Sequence, residues 1–159
     1  MRSPGGIVAV LAMLVLTAFA ASSALAASPA PHSERALLAA MNGARTSRGL
    51  RPLRLDAKLQ SAARAHTTEM LRYGYFGHGA FGRRLSSFGV RGPFVGENLA
   101  WGNGRFRRAG VIVREWLRSP EHRANLLRPG FRRVGVGSLT GRFSGLRNVL
   151  VVTADFAGS

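Results

Sequence analysis

The sequence predicts a single α+β domain. Three observations carry this. The chain has 159 residues, room for one ordinary domain. Apolar residues make up 46%, enough for a packed core, despite a net charge of +16. Helical periodicity fills the first part of the chain, and a period of two fills the last. There is no cysteine, which excludes disulfides, thiol nucleophiles, thiolate metal sites and a lipidated N-terminal cysteine.

In chain order, Arg2 precedes an uncharged run from Ile7 to Ala21, followed by small residues ending in Ala24-Leu25-Ala26. That is the layout of a secretory signal peptide, residues 1–26, cleaved after Ala26, and it predicts a secreted or extracytoplasmic protein with no membrane span after cleavage. Residues 27–34 read as a leader and 35–157 as the folded domain. Without disulfides, an exported domain of this size must rest on its core.

Ser33 is placed to cap a first helix, with Glu34 in its first turn and Leu37, Leu38, Met41 and Ala44 at helical spacing. Gly49 stops it. Residues 50–55 (LRPLRL) are extended around Pro52. Asp56 caps a second helix, in which Leu59, Ala62, Ala63, His66 and Met70 share one face, and Gly74 ends it. The glycine-rich stretch 74–110 reads as loops with one short helix over 82–88. Residues 107–118 (RRAGVIVREWLR) read as a helix. Ser119 caps a short helix opened by Pro120. Val134, Val136 and Leu139, then Val149 to Ala154, form two strands joined through the turn residues of 140–146 (TGRFSGL), a terminal antiparallel hairpin.

Few residues offer chemistry. His32 lies in the leader. His66 sits on an apolar helix face and reads as a satisfied core histidine. His78 lies among glycines. His122 opens a short helix, whose N-terminal partial charge favours neutral imidazole, the form that binds a metal or acts as a base. Glu97 and Asn98 stand between apolar neighbours, where an unpaired carboxylate is unfavourable. Spacing does not join His78, Glu97 and His122 into one site.

A resemblance does. Met41-Asn42-Gly43-Ala44-Arg45 with Gly49-Leu50 and Pro52-Leu53 is followed by Ala63, His66 and Met70. Then come Tyr75-Phe76-Gly77-His78, Gly96-Glu97-Asn98-Leu99-Ala100 and the run from Trp116 to Asn125. Val134-Gly135-Val136-Gly137 and Ala154-Asp155-Phe156 close the series. In this order they resemble bacterial members of the CAP superfamily (cysteine-rich secretory proteins, antigen 5 and pathogenesis-related proteins; the SCP-like extracellular domain). The resemblance runs from about Leu37 to Phe156. It implies a three-layer α-β-α sandwich with a central antiparallel sheet, and a cleft lined by two histidines and two acids. His78 and His122 match the histidines and Glu97 the first acid. The second acid's position holds Ser119, with Glu115 and Glu121 nearby but off the motif.

Two histidines and one carboxylate suit zinc or another divalent cation with an open position for water. The resemblance therefore implies a binding module with His78, His122 and Glu97 as metal candidates. The alternative is a metal-dependent, peptidase-like hydrolase using the same cleft, with His78, Glu97 and His122 as catalytic candidates. A third reading makes the same residues a buried hydrogen-bonded network, with Asn98 fixing the loop that carries Glu97. No H-E-x-x-H and no G-x-S-x-G is present.

Lipids or sterols are implied ligands. Phe76, Phe81, Phe88, Phe94 and Trp101 either line a groove for them or pack the loops onto the sheet. All but one of the 23 basic residues are arginines, the exception being Lys58. They cluster at 83–84, 105–108, 123–128 and 132–133. Anionic cell-envelope polymers are the partners such clusters fit outside the cytoplasm, unless they form a solvated face. Export and the lack of any nucleic-acid motif argue against nucleic acid as the main partner.

Overall fold

A computed structural model describes residues 31–158. The segment read as a signal peptide, residues 1–26, and the start of the segment read as a leader lie outside these residues. The elements in chain order are α1 (His32–Thr46), β1 (Arg54–Leu55), α2 (Ala57–Tyr73), α3 (Phe81–Ser87), β2 (Val95–Gly102), a 3-10 turn (Gly104–Arg107), α4 (Ala109–Arg118), α5 (Pro120–Leu127), β3 (Phe131–Phe143) and β4 (Leu146–Gly158). The four strands form one sheet in the order β1-β3-β4-β2. Its main ladders are antiparallel, and the short β1 runs parallel to β3.

The sandwich follows from strand alternation. In β4, Leu150, Val152, Ala154 and Phe156 join Leu37, Met41, Ile112 and Trp116 in the core under α1, α4 and α5. The intervening Val149, Val151 and Ala157 face the opposite layer, where Met70, Leu59 and Ala62 of α2 cover them. Both faces of β4 are covered, so it is buried from Val149 to Gly158. α2 lies almost on the sheet: a Cβ at Gly135 would sit 2.0 Å from the carbonyl carbon of Leu59, and one at Gly137 would sit 2.3 Å from the carbonyl oxygen of Ala63.

The termini of the elements carry the expected chemistry in part. Asp56 accepts from the backbone N–H groups of Lys58 and Leu59, and Gly74 ends α2 in the left-handed region. The hairpin turn is Ser144-Gly145, both at positive φ, which suits a tight two-residue connection. The strands it joins are longer than the alternating residues alone indicate.

Four expectations need correction. α1 begins at His32, so residues 32–34 are helix rather than leader. Ser33 does not cap it: the Ser33 hydroxyl hydrogen-bonds with that of Ser138, 2.6 Å away. The 50–55 segment is free of helix, as expected, and its Arg54–Leu55 pair joins the sheet. Beyond β1 the Gln60 side chain completes the β3 edge, accepting from the Val136 N–H at 3.0 Å and donating to its carbonyl. Finally, residues 95–102 are a strand, not a loop, and the helix read over 107–118 starts at Ala109 after the 3-10 turn. Glycine richness conceals β2 because Gly96 and Gly102 are required by packing: a Cβ on either would lie under 3 Å from a neighbour's side chain.

Candidate functional site

β2 is an edge strand, and the site is built around it. Register places Glu97 opposite Asp155 of β4. Both point toward the α2 layer, and both are buried. Taking two carboxylates out of water is costly unless they are compensated. Arg84 of α3 compensates them: its guanidinium hydrogen-bonds Glu97 Oε2 and lies 3.7 Å from Asp155 Oδ1. Although it stands beside the exposed Arg83, its side chain is only 9% exposed.

His78 completes the contacts of Glu97. Its Nδ1 lies 2.7 Å from Glu97 Oε1, while the ring is 60% exposed. The carboxylate fixes this edge of the ring, while the side chain as a whole remains open to solvent. His66 is fully buried beneath. Its Nε2 is 2.9 Å from the Gly77 carbonyl oxygen and 3.8 Å from Glu97 Oε2. Burial, then the nearby Arg84 charge, hold its pKa below the ordinary value. It is the satisfied core histidine that the helix pattern predicts, and it also anchors the loop before His78.

Neither oxygen of Asp155 receives a hydrogen bond from a donor group. Burial, and then the charge of Glu97, push its pKa up to about 8. Burial also raises Glu97, to about 7, against the pull of Arg84. One proton shared by the two acids accounts for both facts. It resides on Asp155, because Glu97 already receives Arg84 and His78. Asp155 is thus the second acid of the cluster, supplied from β4 rather than from the Ser119 position.

This makes a pH prediction. Asp155 ionises near 3.8 when unfolded but near 8 when folded, so between these values the folded state holds a proton the unfolded state lacks. Its contribution to stability is present at acid pH and is lost as pH rises toward 8. Asp155→Asn keeps a neutral group there. The melting temperature of the variant relative to the wild type is expected to rise from pH 5 toward pH 8 and to level off above it. His66 and His122 weaken both proteins at acid pH and cancel in the difference. A difference that stays flat with pH would mean that Asp155 is ionised in the folded protein.

His122 approaches from the other side of β2, at the start of α5. Asn98, fully buried in the strand rather than in a loop, donates to the His122 carbonyl at 2.9 Å. Asn125 donates in turn to the Glu97 carbonyl and the Asn98 side chain, both at 3.1 Å. Burial, and then the charge of His78, lower the His122 pKa, keeping the ring neutral. Pro120 at the first position of α5 sets the helix start, though the Ser119 side chain makes no capping bond.

Beside His122 opens a cleft of about 250 Å³, floored by Leu99, Ile112 and Trp116 and rimmed by Phe76, Trp101, Phe106 and Glu115. Trp116 is held by its indole N–H on the Leu99 carbonyl, 2.9 Å away. Phe76, Trp101 and Phe106 are 44%, 41% and 42% exposed. The first two pack against Phe143 at steep ring angles, so the aromatics are fixed to the sheet yet still face solvent. Phe94 does the opposite, packing on Phe131 at 5.5 Å and beneath Arg128.

The structure places His78, Glu97 and His122 at the β2 edge of the sheet, with Arg84, Asp155 and His66 beside Glu97. Arg84 is hidden in an arginine-rich stretch. Asp155 does carry a sequence signal, a carboxylate alternating with valine and threonine in an apolar strand. Among the described residues no three His, Cys, Asp or Glu side chains are arranged to hold a metal ion. Both Glu97 oxygens are engaged, so a zinc site with Glu97 as a direct ligand does not fit this arrangement.

The CAP family profile (cysteine-rich secretory protein family) matches residues 38–156. The uncharacterized protein YkwD of Bacillus subtilis (strain 168) is 34% identical over 109 residues, covering 65% of this chain and 41% of that protein. The chain thus spans about two fifths of that relative's length. An extracellular protein containing an SCP domain from Bacillus anthracis str. Ames is 26% identical with a TM-score of 0.66, over 80% of this chain and 40% of that one. An outer surface protein of Borrelia burgdorferi shares the fold at 19% identity, with a TM-score of 0.69 over 81% of this chain and 95% of that one. Among the described residues no helix is long and apolar enough to cross a membrane.

Proposed function

The chain belongs to the CAP (cysteine-rich secretory protein) family, and from that premise we propose that it is an exported binding module for an apolar ligand of the lipid or sterol class. The observation that carries this reading is the aromatic cleft beside His122. Fixed, half-exposed aromatic rings around an apolar floor are what a lipid tail or sterol ring system needs. Neutral His122 and Glu115 at the rim supply the few polar groups that orient a hydroxyl or headgroup. The signal-peptide layout of residues 1–26 and the extracellular relative from Bacillus anthracis support action outside the cytoplasm.

Titration of residues 27–159 with a fluorescent fatty acid and a fluorescent sterol tests the reading. Saturable binding is expected for one of them. It should weaken about tenfold or more in Trp101→Ala/Phe106→Ala, the equivalent of ~1.4 kcal/mol. His78→Ala, away from the apolar floor, should keep it. No saturable binding of either probe sinks the proposal.

A second reading is favoured by the orientation of His78. A carboxylate that fixes one nitrogen of a histidine lying near a second histidine is the support a divalent cation receives from outside its ligand shell. Here Glu97 would orient His78, while His78 Nε2 and His122 would bind zinc directly. Zinc polarises a bound water or carbonyl, which is the chemistry the hydrolase alternative requires. Zinc in the same titration decides: loss of binding in both folded His78→Ala and His122→Ala supports this reading, and no binding to the wild type removes it.

A further inference from the structure

At the opposite edge of the sheet lies a second cleft, of about 530 Å³, whose lining includes Arg51, Arg54, Arg132 and Arg133. Its walls are the segment leading into β1 and the start of β3, with Arg54 directly opposite Arg133 in register. Like charges so placed repel one another unless something else requires them. Beneath it lies Arg45, fully buried. Its guanidinium donates to the carbonyls of Arg51, Leu126, Arg128 and Phe131, at 2.8 to 3.2 Å, and to no carboxylate among the described residues. Arg45 therefore fastens the two walls together and leaves an uncompensated positive charge under the floor. Burial, then the charge of Arg132, lower its pKa.

One carboxylate, Asp56, balances Arg133, while Arg51, Arg54 and Arg132 have no carboxylate partner among the described residues. Asp56 lies next to the cleft but is committed to Arg133, at 2.9 Å, and to the first N–H groups of α2. A neighbouring cleft of about 320 Å³ shares Arg133, is lined also by its partner Asp56, and adds Lys58 and Arg91. The basic side chains thus form a concave track through two joined clefts. A merely solvated charged face would need neither concavity nor a buried cation below it.

We propose that this track is a polyanion site that takes successive phosphate groups of a linear phosphate polymer. Guanidinium forks on facing walls suit a tetrahedral anion, whose oxygens reach out of one plane and bridge both walls. A planar carboxylate satisfies only one fork. Arg133 lines both clefts with its guanidinium held by Asp56 and by the Arg91 and Gly158 carbonyls, so a chain gripped by Arg51, Arg54 and Arg132 passes it from the first cleft into the second. The site lies across the sheet from the aromatic cleft and does not depend on what that cleft binds.

The test uses residues 27–159 and sodium polyphosphate, read by calorimetry at about 0.15 M salt. Saturable binding that weakens with salt is expected. Arg51→Gln/Arg54→Gln/Arg132→Gln should weaken it about tenfold or more, with an unchanged circular dichroism spectrum. Arg83→Gln/Arg105→Gln/Arg108→Gln removes equal charge elsewhere and should cost less than about threefold. Equal losses in the two triples would mean general charge attraction and overturn the site. Equal binding of poly-L-glutamate would overturn the preference for phosphate. Binding to phosphatidylglycerol vesicles without binding to soluble polyphosphate would move the partner to a membrane surface and overturn the polymer assignment.

Discussion

Replacing Arg84 by alanine is expected to cost about 3–5 kcal/mol of folding stability near pH 8, the range for leaving a buried charge without its partner. Among the described residues its guanidinium is the one permanent cation in contact with both Glu97 and Asp155. Without it Glu97 keeps His78 at 2.7 Å and His66 at 3.8 Å. The cost should shrink at pH 5, where both carboxyls can be protonated in the variant, because each is then neutral in its buried position. Urea unfolding at the two pH values measures this. A loss under about 1 kcal/mol at pH 8 would place Arg84 with the ordinary surface ion pairs and dissolve the cluster as a unit. The effect also reaches His78, whose ring Glu97 holds.

Gly135→Ala is the other large effect. The added methyl would lie 2.0 Å and 2.1 Å from the carbonyl carbon and oxygen of Leu59, and 2.3 Å from the Gln60 nitrogen. These are backbone atoms in the first turns of α2, so no side-chain rotation relieves the clash. Either α2 lifts from the sheet or β3 leaves its register. A loss of about 4 kcal/mol or more is expected, enough to unfold a marginal domain. Gly43→Ala supplies the contrast. That glycine is inside α1 with nothing within 4 Å of the new methyl, so the change should stabilise by about 0.5–1 kcal/mol through helix propensity. Thermal melts of both variants check the pair. An unchanged Gly135→Ala melt would mean that α2 does not sit against β3 as described.

The two predictions mark where sequence reading ends. Asp56, Gly74 and Pro120 announce their helix boundaries because capping is local: the groups involved lie within a turn of each other. The hydrophobic period likewise gives the faces of α2 and the terminal strands, since burial of one face depends on spacing alone. The order of motifs from Asn42 to Phe156 then brings out the family, and with it His78, Glu97 and His122. Other features depend on residues far apart in the chain. β2 is a strand because β4 offers it hydrogen bonds, and its glycines are there for neighbours such as Phe106 and Asn125. Arg84 differs from Arg83 in meeting two carboxylates, one from each of two strands. Asp155 becomes the second acid only when register sets it opposite Glu97. Arg45 is fixed as a buried cation by carbonyls more than 80 residues away. Local propensity and periodicity determined the main helices and the terminal hairpin. Tertiary structure decided which charges share a low-dielectric space, because electrostatic energy depends on distance and burial, and neither is written in spacing along the chain.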